Sequence, residues 1–506
     1  MPPGCFARAA RGYSGGMDHS KAPVLEALRD YHSAGYVPFN APGHKQGRGI
    51  DPRVLEVVGA DVFRSDVIAL NGLDDRLMRR GVLAEAQELM ADAVGAEHTF
   101  FSTCGSSLSV KSAMLAVAGP HEKLLVPRHV HKSVISGLIV SGVRPVWVHP
   151  HWDAERHLSH PPGVPEFAEA YERDPDVKGA LVVTPTDYGT CGNLGAIAEW
   201  CHERGLPLIV DEAWGAHLPF HDGLPPWGMD AGADLCVTSV HKMGAAVEQS
   251  SVFHLQGDRV DPDVLKARED LLGTTSPSSL VYAALDGWRR QMAEHGKELL
   301  DGALTLVEAV RGRLAELGLS VQHDEFLGPD LADSLDPLKV VLDLETLGIS
   351  GYQAADWLRE HQRVTVGLAD HRRIVAQVNH SDDEQTAGTL INALDALVKV
   401  APSFEKPPKV DLPSPREIEL ETAMLPRDAF FGPAEQVPAA AAVGRVAAEM
   451  ITPYPPGAPG VLPGEVITRP MLDYLRSGLG AGMQLPDPAD AKLESIRVVA
   501  KARSWG

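Results

Sequence analysis

Between about residues 76 and 290, five short apolar runs recur with helix-length stretches between them. They are Leu124–Val126, Val146–Val148, Ala180–Val183, Leu208–Val210 and Leu235–Val237. A run too short for a helix and apolar at every position is buried on both faces. Runs of that kind, separated by helices, build a parallel sheet from βαβ units. The expected fold class is therefore α/β. Active sites of such sheets lie beyond the carboxyl ends of the strands. The polar residues directly after these runs are the ones to examine.

The rest of the chain divides around this unit. A chain of 506 residues is too long for one core. Residues 1–16 are rich in Gly and Arg and differ from the charged helical segment that Met17 opens. They are expected to be disordered, or to precede the true start at Met17. Residues 17–75 form an N-terminal arm, with one amphipathic helix (Val24 to Tyr31) and a Pro/Gly loop from Pro38 to Gly47. Residues 76–290 form the large domain. A long heptad-like helix, Ala283 to Leu317, leads into a small α+β domain, residues 291–400, with apolar runs at Leu338–Leu344, Val364–Leu368 and Arg373–Val378. Residues 401–415 are a proline-rich linker, and residues 416–506 form a C-terminal domain with the run Pro453 to Gly460.

Composition excludes some function classes. With 46 Lys and Arg against 68 Asp and Glu, the net charge is −22. Nucleic acid is not an expected partner, since it wants a basic face. A cationic small substrate is compatible. No stretch reaches the length and apolarity of a membrane span, so no membrane association is expected. The first sixteen residues lack the apolar core of a secretory signal. The five cysteines show no CxxC spacing, which reads as a reducing, cytoplasmic setting.

Three loops of the large domain share one logic. Ser102 to Ser109 (Ser-Thr-Cys-Gly-Ser-Ser-Leu-Ser) comes after the run ending at Phe101 and opens a helical stretch. Such a loop offers free N–H groups, hydroxyls and a helix dipole to a phosphate. Asp211 comes after Leu208–Val210, and a carboxylate at the end of a buried strand needs a cation. A protonated pyridine nitrogen is one, and the small Ala213 would let a flat ring lie close by. Lys242 comes after Leu235–Val237 in Ser239-Val-His-Lys242. A lysine inside the protein at a strand end can act as an imine-forming nucleophile. Each loop alone is weak. In this order and at this spacing they describe one pyridoxal-phosphate site.

The motifs Ala41-Pro-Gly-His-Lys-Gln-Gly47, Cys104-Gly-Ser-Ser107, His129-Val-His-Lys-Ser133, Asp211-Glu-Ala-Trp214, Ser239-Val-His-Lys242, Tyr454-Pro-Pro-Gly457 and Pro463-Gly-Glu465 resemble those of the ornithine/lysine/arginine decarboxylase family. The resemblance covers about residue 20 to the end. It implies an aspartate-aminotransferase-like, type I fold with a small domain and an extra C-terminal domain. It implies the shorter biosynthetic type, since no receiver-like domain precedes the Ala-Pro-Gly-His-Lys motif. The implied activity is pyridoxal-phosphate-dependent decarboxylation of a basic amino acid (arginine, ornithine or lysine) for polyamine metabolism. Lys242 would hold the cofactor as a Schiff base, Asp211 would pair with the ring nitrogen, and His131 would stack on the ring. Gly105, Ser106, Ser107, Ser239 and His241 would surround the phosphate. His44, Lys45, Glu212 and Glu465 are the candidate substrate contacts, His44 and Lys45 reaching the site of a partner in a homodimer or dimer-based oligomer. Two positions depart from the pattern: Cys104 replaces the usual Asn, and Gly367 stands where a Glu is common. A different reaction at the same site, such as transamination or elimination, and a catalytically silent regulator are the alternative readings. His129/His131 and His217/His221 lack further ligands at useful spacing, so no metal is expected.

Overall fold

The computed structural model of the protein describes residues 17–68, 74–75, 80–413, 419–454 and 457–501. The expectation for residues 1–16 lies outside them, as do Pro455 and Pro456 of the Tyr-Pro-Pro-Gly run. All five apolar runs are strands. They belong to a seven-stranded sheet made of β1 (His98–Ser102), β2 (Lys123–Pro127), β3 (Arg144–Val148), β4 (Ala180–Val183), β5 (Leu208–Asp211), β6 (Leu235–Ser239) and β7 (Ser251–Leu255). Their spatial order is β1-β7-β6-β5-β4-β2-β3.

Strands β2 to β6 run parallel. Strand β7 is antiparallel to both of its neighbours. The five runs are parallel as expected, and the antiparallel β7, which is not one of them, makes the whole sheet mixed. The connection explains it. Residues 240–250 hold only the helical turn Val240–Met243, too little chain for the crossover that a parallel partner needs.

Leu181, Val182, Leu208, Ile209, Val210, Leu235, Cys236 and Val237 are all 0% exposed. Burial on both faces is why these strands are continuously apolar. Each such aliphatic side chain adds about 1.5–3 kcal/mol over leaving it in water. Two helices prepare the site: α1 (Ser106–Val117) after β1, and α2 (Lys132–Ser141) after β2. A third, α3 (Ser279–Glu316), buries Val281, Leu285, Trp288, Met292, Leu300, Val307, Val310 and Leu314 at helical spacing. It carries the chain into the small domain. There an antiparallel sheet has the order Ser320–Gln322, Lys339–Asp343, Arg373–Gln377, Leu368–Ala369.

The arm helix, Pro23–Ala34, is tied to α3. Arg289 donates to the carbonyls of His19 and Lys21, and Asp286 accepts from Val24 N–H at 2.8 Å. Asp286 and Arg289 pair with each other, both 0% exposed. Beyond that helix the arm turns outward, leaving Phe39 95% and Val57 85% exposed, with Tyr36, Val37 and Val58 also open.

The C-terminal domain pairs Ala434–Pro438 with Ser495–Val499 and packs the helix Arg469–Ala481 on them. It docks on the large domain through Arg128, just past β2. This buried guanidinium donates to Pro459 O at 2.8 Å, Gly460 O at 3.2 Å and Glu465 Oε2 at 3.0 Å. Among the described residues, no helix is long and apolar enough to cross a membrane.

Candidate active site

Asp211 closes β5 and is 3% exposed. One oxygen accepts the Ala213 N–H at 3.3 Å. Burial pushes this carboxyl up to about 6, while the Lys242 cation pulls the other way. A buried acid with so little compensation is poised to meet a cation.

Lys242 lies on the turn Val240–Met243, directly after the neighbouring strand β6. Its Nζ is 4.4 Å from the centre of the Trp214 ring. A second lysine, Lys339 of the small domain, is 3.2 Å from the same centre. The indole N–H donates to Asp187 Oδ1 at 2.9 Å. Sequence reasoning quoted Trp214 only as part of a motif and missed Asp187 and Lys339. The signals were present. Asp187 stands shortly after the apolar run of β4, and Lys339 lies inside the run Leu338–Leu344.

On the opposite side of β6, Gly105 precedes α1 with φ +77, a left-handed conformation that glycine adopts freely. The Ser239 hydroxyl donates to Ser106 Oγ at 2.5 Å. Ser107 is exposed in the first turn of α1. His241 is half-buried, its Nδ1 donating to Ser250 O at 3.2 Å. Two hydroxyls, a helix start of twelve residues and a glycine turn therefore converge beside Lys242, the donor set a phosphate needs.

His131 caps α2. Its Nδ1 accepts from Ser133 N–H at 3.2 Å, which leaves the proton on Nε2. Burial, with the Lys242 charge adding to it, lowers this imidazole to about 4. It is a neutral flat ring at physiological pH. Gly457 presses against it: a Cβ there, where φ is +92, would lie 3.1 Å from His131 Cδ2. Only glycine lets the backbone come so near.

Two candidate substrate contacts lie in the protein's interior. Glu212 is 0% exposed, and side-chain alternation turns it away from Asp211. Gly228 N–H donates to it at 3.4 Å and Cys236 hydrogen-bonds it. Burial holds its carboxyl far above the usual range, so it is a neutral core acid. Glu465 is 1% exposed and committed to Arg128 and to Leu462 N–H, so it ties domains together. His44 bonds Asp66 at 3.1 Å and Gly47 N–H at 3.3 Å, and Lys45 donates to Asn40 O. Those bonds all stay within the arm. Of the two departures, Cys104 donates its N–H to Ser102 Oγ at 3.4 Å. Gly367 backs onto Gln377, whose Oε1 would lie 3.0 Å from a Cβ.

A cavity of about 360 Å³ opens where the three domains meet. Arg128, Asp187, Tyr188, Asp370, Glu419 and Tyr474 are in its wall. Most of its charges are spoken for. Arg128 serves Glu465 and two carbonyls. Asp370 pairs with Arg373 and accepts from Tyr188, and Glu419 pairs with His149. Asp187 has the neutral indole N–H as partner and forms no ion pair among the described residues.

These groups fit pyridoxal phosphate: hydroxyls and a helix start for the phosphate, a buried acid for the ring nitrogen, an imidazole for the ring face and an amine for the aldehyde. Known proteins point the same way. Residues 22–329 match the Orn/Lys/Arg decarboxylase major domain, and residues 415–487 match the C-terminal domain of that family. An arginine decarboxylase of Bacillus anthracis is 38% identical over 95% of this chain and 97% of its own length. One from Bacillus subtilis (strain 168) is 37% identical over 96% of this chain and 100% of its own. The constitutive lysine decarboxylase of E. coli superposes with a TM-score of 0.81 at 23% identity, over 96% of this chain and 82% of its own. A ureidoglycine-glyoxylate aminotransferase from Bacillus subtilis shares the fold with a TM-score of 0.53 at 16% identity, over 69% of this chain and 90% of its own. Matched along almost its whole length, the chain belongs to the Orn/Lys/Arg decarboxylase family and is a type I, pyridoxal-phosphate-dependent carboxy-lyase of basic amino acids.

Proposed function

We propose that this chain decarboxylates arginine in a reducing, cytoplasmic setting, with Lys242 carrying the cofactor and Asp187 meeting the substrate's cationic end. The observation that carries the reading is the placement of one carboxylate without an ion pair, Asp187, between the Lys242 site and the interdomain cavity. The whole-length likeness to arginine decarboxylases supports the choice of arginine.

When bound, pyridoxal phosphate supplies the electron sink for the pair left by the departing carboxylate. Asp211 would keep a proton on the ring nitrogen. Ser106, Ser107, Ser239 and His241 would hold the phosphate, with Gly105 and Ala213 leaving room for close approach. Neutral His131 would cover one ring face and, backed by Gly457, exclude water from it. Release of CO₂ from arginine, ornithine and lysine, each supplied alone, tests the substrate. Arginine should be turned over with the highest kcat/KM, and a preference for either other amino acid overturns the choice.

Asp187→Asn isolates the charge, because the amide oxygen can still accept the Trp214 N–H. We expect KM for arginine to rise roughly tenfold or more, with a smaller change in kcat, as a lost ground-state contact requires. An unchanged KM would remove Asp187 from the substrate pocket.

The working unit is a homodimer or an assembly of dimers with shared sites. The exposed Phe39, Val57, Tyr36 and Val37 support this, since large apolar side chains left so open on one arm are normally covered. His44 and Lys45 belong to the same arm and would serve the partner's site. Inactive His44→Ala and Lys242→Ala chains, mixed and reassembled, should regain part of the activity, because some mixed dimers hold one intact site. A fully active monomer in sedimentation refutes the arrangement.

A further inference from the structure

We propose that Lys339, delivered by the small domain, is a positioning residue for the cofactor lysine: it fixes the Trp214 indole against which Lys242 rests. The inference builds on the reading of Lys242 as the cofactor's attachment point.

Three groups from three segments hold this one ring. Lys339 Nζ lies on its face, 3.2 Å from the centre. Asp187 takes its N–H at 2.9 Å. Lys242 Nζ lies 4.4 Å from the same centre. Lys339 opens the strand Lys339–Asp343, which belongs to the small-domain sheet, so its side chain must cross the domain boundary to reach the ring. The crossing is fitted. Gly189, with φ +85, lies where a Cβ would come within 2.8 Å of Lys339 Cγ. The same loop carries Asp187, so one segment wraps the lysine stem and holds the indole edge.

The amine at the end of that stem is not explained by packing. Lys339 is 2% exposed and pairs with no carboxylate among the described residues; its hydrogen bond, to Gln377 Oε1, is long at 3.5 Å. A methionine would fill the same channel without burying a charge. What the amine adds is a cation for the π face of an indole, an attraction strongest where water is excluded. The charged groups around it are Asp336 (itself paired with His217), Asp187 and Lys242. Burial lowers the Lys339 amine to about 7, with the Lys242 charge adding to the effect and the two carboxylates opposing it. Its grip on the ring is therefore charged below neutral pH and fades above it. A Lys242 amine resting on a ring that the small domain holds is presented to the cofactor only when the two domains are seated together.

The test is the rate at which stripped enzyme takes up pyridoxal phosphate, followed by its visible absorption band from pH 6 to 9, in the wild type, Lys339→Met, Lys339→Arg and Trp214→Phe. This readout needs no decarboxylation. Lys339→Met should load more slowly by roughly tenfold or more, as expected of a displaced reacting group, and should lose the inflection near pH 7. Lys339→Arg keeps a permanent cation and should load faster than Lys339→Met, with no inflection. Trp214→Phe, which leaves Lys339 in place but shrinks the ring and removes its N–H, should fall between wild type and Lys339→Met and guards against a Met variant that misfolds. Wild-type rate and pH profile in Lys339→Met overturn the proposal. Absence of a band in the wild type itself overturns the Lys242 reading as well, and the two failures are told apart by which protein shows them.

Discussion

Lys242→Ala is expected to lose all measurable turnover, a fall well beyond ~10³-fold, or more than about 4 kcal/mol in the barrier. The expectation rests on position. The residue leaves the end of β6 on a single helical turn, one strand over from Asp211 and beside the Ser106–Ser239 hydroxyls. No other described lysine combines those neighbours. Lys339 is the residue that could mislead, since it lies on the same indole. Borohydride reduction of the loaded enzyme and then peptide mapping separates the two. The label should be found on the peptide containing Lys242. A label on Lys339, with Lys242 unmodified, reverses their roles and with them the whole assignment of the site.

Asp211→Ala should cost roughly 10³-fold in kcat, because the ring nitrogen would lose the anion that keeps it protonated. The same residue makes a statement about stability. Its carboxyl is raised by burial to about 6 in the folded chain without cofactor, against about 3.9 when unfolded. A raised carboxyl favours the folded state most at low pH, and that contribution is lost as pH rises from about 4 through about 6. Thermal melts of stripped wild type should therefore fall across this window more steeply than melts of stripped Asp211→Asn. Loaded wild type should escape the loss, because the ring cation then compensates the charge. Near-normal turnover in Asp211→Ala would show that this acid does not face the cofactor, and parallel melting curves for the stripped proteins would show that burial does not raise its carboxyl.

Much of the site was legible because its parts lie at the ends of buried strands. Burial on both faces leaves a plain mark in the sequence, an unbroken apolar run, and Asp211 and Lys242 stand out as the first charged residues after theirs. The reversal of β7 left no such mark. Direction in a sheet depends on how the connecting segment travels, and residues 240–250 give no apolar pattern to read. The burial of Glu212 was hidden for a related reason. Sequence places it next to Asp211 but does not say that Gly215 and Gly228 leave a hole behind the sheet that its side chain fills. The ion pair of Glu465 was not legible because Arg128, its partner, lies some three hundred residues away in the chain. Lys339 escaped notice because a charged residue inside an apolar run reads as a snorkelling edge residue until the structure shows it buried. Long-range contacts, which no local pattern encodes, account for Glu465 and Lys339.

The docking of Arg128 onto Pro459, Gly460 and Glu465 also bears on the order in which a growing chain becomes an enzyme. Ribosomes add residues from the N-terminus at about 5–20 per second. Asp211 and Lys242 leave the ribosome roughly two hundred residues ahead of Gly457, which presses on His131, a lead on the order of ten seconds or more at that pace. During that interval the nascent large domain has its phosphate loop, its acid and its lysine, but nothing yet covers the imidazole. The contact between Gly457 and His131 is thus among the last to form, once the C-terminal domain has been made.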